Sequence, residues 1–360
     1  MNERTSVGLD VHARSVVASA IDGVTGEVFR QRLIPDHGQV EAWVRSLPGP
    51  WRVTYEAGPT GFGLARHLNE AGVETLVAAP SKLQRPVGDR VKTDAKDALH
   101  LARLLKLGEI VEVTVPSVGQ EAARDLVRAR EDARGDLMSA RHRLSKLLLR
   151  QGIVYSSGKA WTTTHDQWLR RQRFDQPGLQ HAFDAAYDAV AAVIDRRDRL
   201  DIAIAGMAAD SEFTPVVDRL GCLRGISTLT GFGLAVEIGD WHRLDGRRIG
   251  AYLGMTPTEH SSGASRSLGG ITKTGNTHAR RLLIEAAWHH RKPYRPSSPT
   301  MRARWDKAPA AAARRRGDAG NRRLHARWLA FDARGKRSVV ANAAIARELA
   351  GWCWSLAVIE

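Results

Sequence analysis

Four carboxylates and one hydroxyl-rich loop are the residues of this chain whose types and spacing could do chemistry. Asp10 falls inside TSVGLDV, a strand pattern with Val7, Leu9 and Val11 on one side and Ser6, Gly8 and Asp10 on the other. An Asp within a strand runs against propensity. Glu56 ends a second strand pattern, WRVTYEA, just before the Gly58-Pro59 breaker. Asp94 and Asp97 open a helix pattern, DAKDALHLARLLKLG, and at i, i+3 they share one face. Acids on strands joined by acids from a following helix can converge at one sheet end. Four carboxylates there repel one another unless a counter-charge is present. Mg²⁺ supplies it, because it takes oxygen ligands and leaves positions for phosphate oxygens. Two such ions roughly 3.5–4 Å apart can clamp both the attacking and the leaving oxygen of a phosphoryl transfer. Taken singly, Asp94 reads as a helix cap and Asp97 as a complement to the helix dipole. The four together, on strand, strand and helix, point to a metal site.

The second feature is EHSSGASRSLGG, which carries Arg266 and is followed by Lys273, Arg280 and Arg281. A serine hydroxyl is a weak nucleophile near neutral pH and needs a base, cations or a metal to activate it. Arginine suits phosphate oxygens and stabilises developing charge. His260–Gly270 holds no carboxylate, so activation of a serine there has to come from elsewhere. From the residues alone, these serines read as flexible filler of a surface loop. His289 and His290 are adjacent on a helix pattern and point to different faces, which fits structural or phosphate-contacting roles rather than a metal pair.

The elements that must position these groups fall into three regions. Residues 1–117 read as α/β: three strand patterns in a row, then helix, strand, helix, strand and helix, which gives a mixed sheet with helices on its faces. Residues 118–212 read as a helical, coiled-coil linker or dimerisation region. There, Gln120 to about Leu149 and Phe183 to Met207 have the apolar spacing of long amphipathic helices. Residues 213–360 read as mostly α-helical. LGCLRGISTLTGFGLAVEIGD is expected to form short helices separated by glycines, followed by the serine loop and two further helices. NAAIARELAGWCWSLAV reads as a terminal helix, with Trp352 and Trp354 in its core face.

Charge narrows the partner. The chain of 360 residues has a formal net charge of +15. Residues 1–117 carry 14 Lys/Arg against 14 Asp/Glu, whereas residues 259–337 carry 19 against 5. That excess, which includes Arg314, Arg315, Arg316, Arg322 and Arg323, is the footprint of a polyanion. It is interleaved with Trp288, Trp305 and Trp328, rings that can stack on unpaired bases. The apolar runs are too short for a membrane helix, the N-terminus lacks a signal-peptide pattern, and Cys222 and Cys353 form neither a metal-ligand nor a disulfide framework. A cytoplasmic protein with no membrane partner is the expectation.

With these words in place the chain resembles a known family. GLDVH with Asp10, YEAGPTG with Glu56, and KTDAKDA with Asp94 and Asp97 are similar to the RuvC-like (ribonuclease H fold) domain of the DEDD insertion-sequence transposases, the one-ten family. GDWHRLDGRRIGAYLGMTPTEHSSGASRSLGGITKTGNTHARRLLIEAA resembles the second, serine-bearing domain of that family. The resemblance implies a recombinase that excises and inserts its element, uses Mg²⁺ as two ions, and works as a homo-oligomer (dimer or tetramer). It implies a noncoding bridge RNA whose loops pair with donor and target double-stranded DNA. It also implies that the acidic domain of one subunit completes a site with the serine domain of another. The family's serine precedes a glycine, which singles out Ser262 before Gly263, with Ser261 as its rival. A phosphoserine-DNA intermediate would follow; the alternative is a RuvC-like junction resolvase that uses water. One departure stands out: a Gly-Ile-Gly common in the family is Gly225-Ile226-Ser227 here.

Overall fold

The computed structural model describes residues 4–84, 93–262, 265, 267–296, 298–307 and 310–359. Contacts divide the chain into two units, Met1–Ser117 and Val118–Glu360.

The first unit runs β1 (Thr5–His12), β2 (Ser15–Ile21), β3 (Val28–Leu33), α1 (His37–Ser46), β4 (Trp51–Glu56), α2 (Gly63–Glu70), β5 (Glu74–Ala78) and α3 (Asp94–Leu107). The sheet order is β3-β2-β1-β4-β5. The first three strands pair antiparallel, and β4 and β5 join on the other side of β1 as parallel neighbours. Alternation along β1 sorts its side chains. Val7 and Leu9 are buried with Val40 and Val44 of α1 and Leu64 and Leu68 of α2, where each large side chain contributes about 1.5–3 kcal/mol. The opposite side is not the solvent face that its polar residues suggest. Ser6 and Gly8 are buried as well, because α3 lies along them. Thr93 starts α3, its Oγ1 accepting from the Lys96 backbone N–H, and Gly108 ends it at φ 72°, a left-handed conformation that suits glycine.

The second unit opens with α4 (Val118–Arg150), α5 (Thr163–Leu169) and α6 (Pro177–Ala209). α4 and α6 run antiparallel, since Arg130 pairs with Asp201 and Arg196 with Asp136. Leu137, Leu144 and Leu148 pack on Phe183 and Val190 at one end of the seam. Ala123 and Val127 pack on Ile204 and Ala208 at the other. There follow α7 (Thr214–Leu220), α8 (Thr228–Ile238), α9 (Ile249–Tyr252), β6 (Pro257–Glu259), β7 (Leu268–Ile271), α10 (Thr277–Ala287), α11 (Pro299–Lys307), α12 (Ala311–Asp332) and α13 (Ser338–Ala357). Short helices separated by glycines are found, with Gly221 and Gly225 between α7 and α8, while Gly231 and Gly233 sit buried within the unbroken α8. Ser227, the departure from Gly-Ile-Gly, is the N-cap of α8, its Oγ accepting from the Thr230 N–H at 3.2 Å.

The tryptophans also change places. Trp328 is buried in the main core with Leu324 and Phe331, and Trp305 packs against that core. Trp288 alone of the three is exposed, and its ring lies 5.6 Å from that of Trp328. Trp352 and Trp354 border the core but stay half-buried. Among the described residues, no helix is long and apolar enough to cross a membrane.

Candidate catalytic features: an acidic cluster and a serine hairpin

The acidic cluster depends on Gly8. A Cβ at this position would stand 2.1 Å from the Ala98 carbonyl oxygen and 2.5 Å from the Ala102 nitrogen. Bare backbone therefore lets α3 lie directly on β1. Two residues further along the same face comes Asp10, and the first turn of α3 brings Asp94 to it. Donor atoms of Asp10, His12 and Asp94 all lie within 4.8 Å of one another. His12 Nε2 is 3.2 Å from Asp10 Oδ2 and 4.0 Å from Asp94 Oδ1.

Asp97 is close enough for its charge to act on Asp10. Burial pushes the Asp10 carboxyl above its ordinary range, His12 works against this, and the like charges of Asp94 and Asp97 add to the rise. Glu56 follows Tyr55, which pairs with Leu9, so it stands one step beyond the last paired residues, on the strand beside Asp10. Parallel neighbours in register point to the same face, at about 4.8 Å strand spacing. Glu56 is exposed and is not a member of the three-residue cluster.

Thr93 bears on the simplest account of Asp94. It occupies the cap position of α3, so Asp94 is the first helical residue rather than the cap. Sequence reasoning did not single out His12. The signal was there in GLDVH, because alternation puts residues 10 and 12 on one face.

The serine loop is a β-hairpin. β6 and β7 pair antiparallel, with Pro257 opposite Ile271 and Glu259 opposite Leu268. Backbone bonds continue outward from His260 N to Ser267 O at 2.9 Å, and between Ser262 and Ser265 in both directions at 3.1 and 3.2 Å. Ser262 is thus exposed near the tip of a two-stranded ribbon. Ser261 is different: its Oγ donates to Glu259 Oε1 at 2.8 Å. Glu259 lies one residue outside the carboxylate-free stretch, and strand alternation puts it on the same face as Ser261. Gly263 and Arg266 lie outside the described residues.

The basic residues have varied surroundings. Lys273 is exposed after β7, at φ 57°. Arg280 is buried, and its guanidinium donates to the carbonyls of Leu253 (3.0 Å) and Thr274 (2.7 Å) and to Thr277 Oγ1 (3.2 Å). Arg281 pairs with Glu131 of α4 and, at 2.7 Å, with Glu285. Arg314, Arg315 and Arg316 are consecutive on α12, and steps of about 100° spread them around the helix. Arg315 is exposed. Arg316 donates from Nε to Ser355 Oγ at 3.0 Å and lies over the Trp352 ring at 4.5 Å. Arg322 pairs with Asp318 at 2.8 Å, and Arg323 with Glu348 at 3.1 Å. His290 is fully buried, and desolvation pushes its imidazole down to about 3, so it serves the interior as a neutral ring.

Comparison with known proteins covers both units. Residues 217–305 match the family described as "Transposase IS116/IS110/IS902 family", and residues 7–152 match a DEDD-type IS110 transposase family. A protein of Sinorhizobium fredii carrying a transposase name is 36% identical over 357 residues, covering 98% of this chain and 88% of the relative. The transposase for insertion sequence element IS1533 of Leptospira borgpetersenii is 31% identical over 301 residues, covering 81% and 87%. The transposase for insertion sequence element IS1328 of Yersinia enterocolitica is 24% identical over 284 residues, covering 79% and 83%.

Proposed function

The chain belongs to the IS116/IS110/IS902 family of transposases, enzymes that cut DNA and transfer its strands, and from that premise we propose how it works. The first unit is read as a RuvC-like, ribonuclease H-type domain; an antiparallel trio of strands extended by two parallel ones, with β1 central, supports this. The second is read as a helical arm over 118–212 followed by a transposase domain over 213–360.

The observation that carries the reading is the convergence of Asp10, Asp94 and His12. This donor set fits a divalent cation: two carboxylates and an imidazole face one another, and burial, with the like charges of Asp94 and Asp97 added, pushes the Asp10 carboxyl up. Asp10, Asp94, Asp97 and Glu56 would hold Mg²⁺, as two ions. When bound, such ions supply charge that stabilises phosphate oxygens while one P–O bond replaces another. The carboxylates orient on their own strands and helix, and His12 holds Asp10 in its rotamer.

Ser262 is the proposed nucleophile. Its Oγ attacks phosphorus, a P–O bond to the sugar breaks as the P–Oγ bond forms, and the serine proton leaves to a base. Attack by the hydroxyl of another strand reverses the exchange and rejoins DNA without ATP. Exposure at the tip of a narrow ribbon supports access to a duplex. Ser261 remains a second reading, favoured by its hydrogen bond to Glu259. The partners are double-stranded donor and target DNA and a noncoding bridge RNA. Base pairing carries the sequence, and cations such as Lys273, Arg315 and Arg322 hold backbones by charge. The working form is a homo-oligomer acting at the nucleoid.

A suicide DNA substrate tests the chemistry. An adduct mapping to the Ser262 peptide, lost in Ser262→Ala and kept in Ser261→Ala, is the expected result. An adduct on Ser261 would transfer the role to that residue. Cleavage without any adduct would make water the nucleophile.

A further inference from the structure

A groove of about 910 Å³ lies in the second unit between the base of the serine hairpin and helices α12 and α13. From it we infer a binding site for one unpaired DNA nucleotide beside the attacked strand; this rests on the reading of the hairpin as the bearer of the nucleophile. The volume lies within the roughly 300–1,000 Å³ of sites that enclose small ligands.

One wall is the hairpin itself, through Pro257 and Gly269–Ile271. The opposite wall combines rings, cations and apolar side chains. Trp352 and Trp354 line it, and Val339 and Val340 leave 58% and 45% of their surface exposed. Two glycines let the wall come together. A Cβ at Gly246 would stand 3.0 Å from the Trp354 ring, and one at Gly250 would stand 2.9 Å from Arg347 Cγ. The stem of Arg347 therefore lies across Gly250.

Charge and flatness identify the occupant. Arg247, Arg316, Arg327, Lys336 and Arg347 line the groove against one carboxylate, Glu348. Glu348 is already paired with Arg323 and Arg327. The site therefore asks for an anion. Its planar surfaces ask for an aromatic group: the Arg316 guanidinium is fixed over Trp352 at 4.5 Å by its bond to Ser355. Bases stack on aromatic rings and on guanidinium planes alike, whatever their sequence. A nucleotide satisfies both demands, with its base against the Trp352–Arg316 stack and its phosphate toward Arg347 and Lys336. Only an unpaired base has a face to offer. The hairpin that forms the near wall makes DNA, rather than guide RNA, the strand concerned.

The full chain is titrated with a single-stranded DNA carrying 2-aminopurine and with the same strand abasic at that position. The expected result is about tenfold tighter binding of the base-bearing strand, with 2-aminopurine fluorescence quenched. Trp352→Ala should remove both the preference and the quenching, and Trp352→Phe should restore them. Because Trp352 borders the core, Arg347→Glu, at an exposed residue, provides a second variant. It should weaken binding of both strands well beyond the same charge reversal at Arg199, on the distant α6. Equal affinity of the wild type for the two strands would overturn the proposal. So would equal effects of Arg347→Glu and Arg199→Glu. Tighter binding of RNA of the same sequence would overturn the assignment to DNA. No cleavage is measured, so a missing serine adduct would sink the nucleophile and leave this result standing, and the converse holds.

Discussion

Arg128 and Glu237, 109 residues apart in the chain, meet through two hydrogen bonds of 3.1 Å each, Nε to Oε1 and Nη2 to Oε2. They tie α4 to α8. Asn276 donates to the same carboxylate at 2.6 Å, and His278 Nδ1 lies 3.1 Å from it.

Burial alone would push the Glu237 carboxyl up, but the bonds from His278, Arg128 and Asn276 outweigh it and hold the group at about 2. A carboxyl depressed from its ordinary 4.5 contributes stability above that pH, and the contribution is lost as pH falls toward 2. At about 1.36 kcal/mol per unit the contribution is on the order of 3 kcal/mol. Acid unfolding of the wild type should therefore steepen between about pH 4.5 and 2, and Glu237→Gln should flatten that stretch. An identical slope in the variant would show that the network does not set acid stability.

Asp10 has the opposite sign. Its carboxyl is raised by burial and then by Asp94 and Asp97, so ionised Asp10 weakens the fold at neutral pH, and the penalty fades as pH falls through the raised value. Asp10→Asn should melt higher than wild type in chelator, by roughly 1–3 °C, and should melt at the same temperature with and without Mg²⁺, where a rise is expected for the wild type. A lower melting point in chelator would contradict the repulsion.

Gly8→Ala tests what brings the cluster together. The added methyl would press on Ala98 and Ala102, and overpacking of this kind costs roughly 1–3 kcal/mol or more. Lower thermal stability and faster amide exchange along α3 are expected, together with loss of the Mg²⁺-induced shift. Unchanged exchange in α3 would mean that the helix accommodates the methyl elsewhere.

Arg280→Ala separates structure from binding. Three hydrogen bonds hold its guanidinium inside the turn before α10, and bonds to a charged group are worth about 1.5–3 kcal/mol each. Stability should fall by a few kcal/mol, while the salt dependence of DNA affinity stays as it was. A slope reduced by about one unit would instead reveal a phosphate contact.

The first unit was legible because its alternations are short and regular. TSVGLDV, WRVTYEA and DAKDALHLARLLKLG fixed strand, strand and helix, and i, i+3 spacing put Asp94 and Asp97 on one face. Which element covers Ser6 and Gly8 was not legible, because alternation records which residues share a face, not what packs on it. Asp94 looked like a cap because acids at helix starts usually are; Thr93 one residue earlier took that position. The second unit was harder. Glycines that suggest breaks in LTGFGLAV instead sit inside a buried helix. Trp328 is buried rather than exposed, and Trp352 packs against the core only half-buried, because α12 and α13 pack on each other, and no single-helix pattern tells which stripe of each is covered. The bond from Ser261 to Glu259 joins residues two apart along one strand, and it was not legible because EHSSGASRSLGG reads as a loop rather than a hairpin.

The position of α3 on β1 also orders events in time. Asp10 and Asp94 are 84 positions apart in a chain made at about 5–20 residues per second, so roughly 4–17 s of synthesis separate them. β1, β2 and β3 can pair through their own short connections meanwhile, but the helix that brings the second carboxylate is the last element of its unit to be made. A product terminated before α3 would hold Asp10 and His12 on a sheet with no partner helix. Premature termination or proteolysis of the emerging chain therefore yields fragments without an assembled acidic cluster.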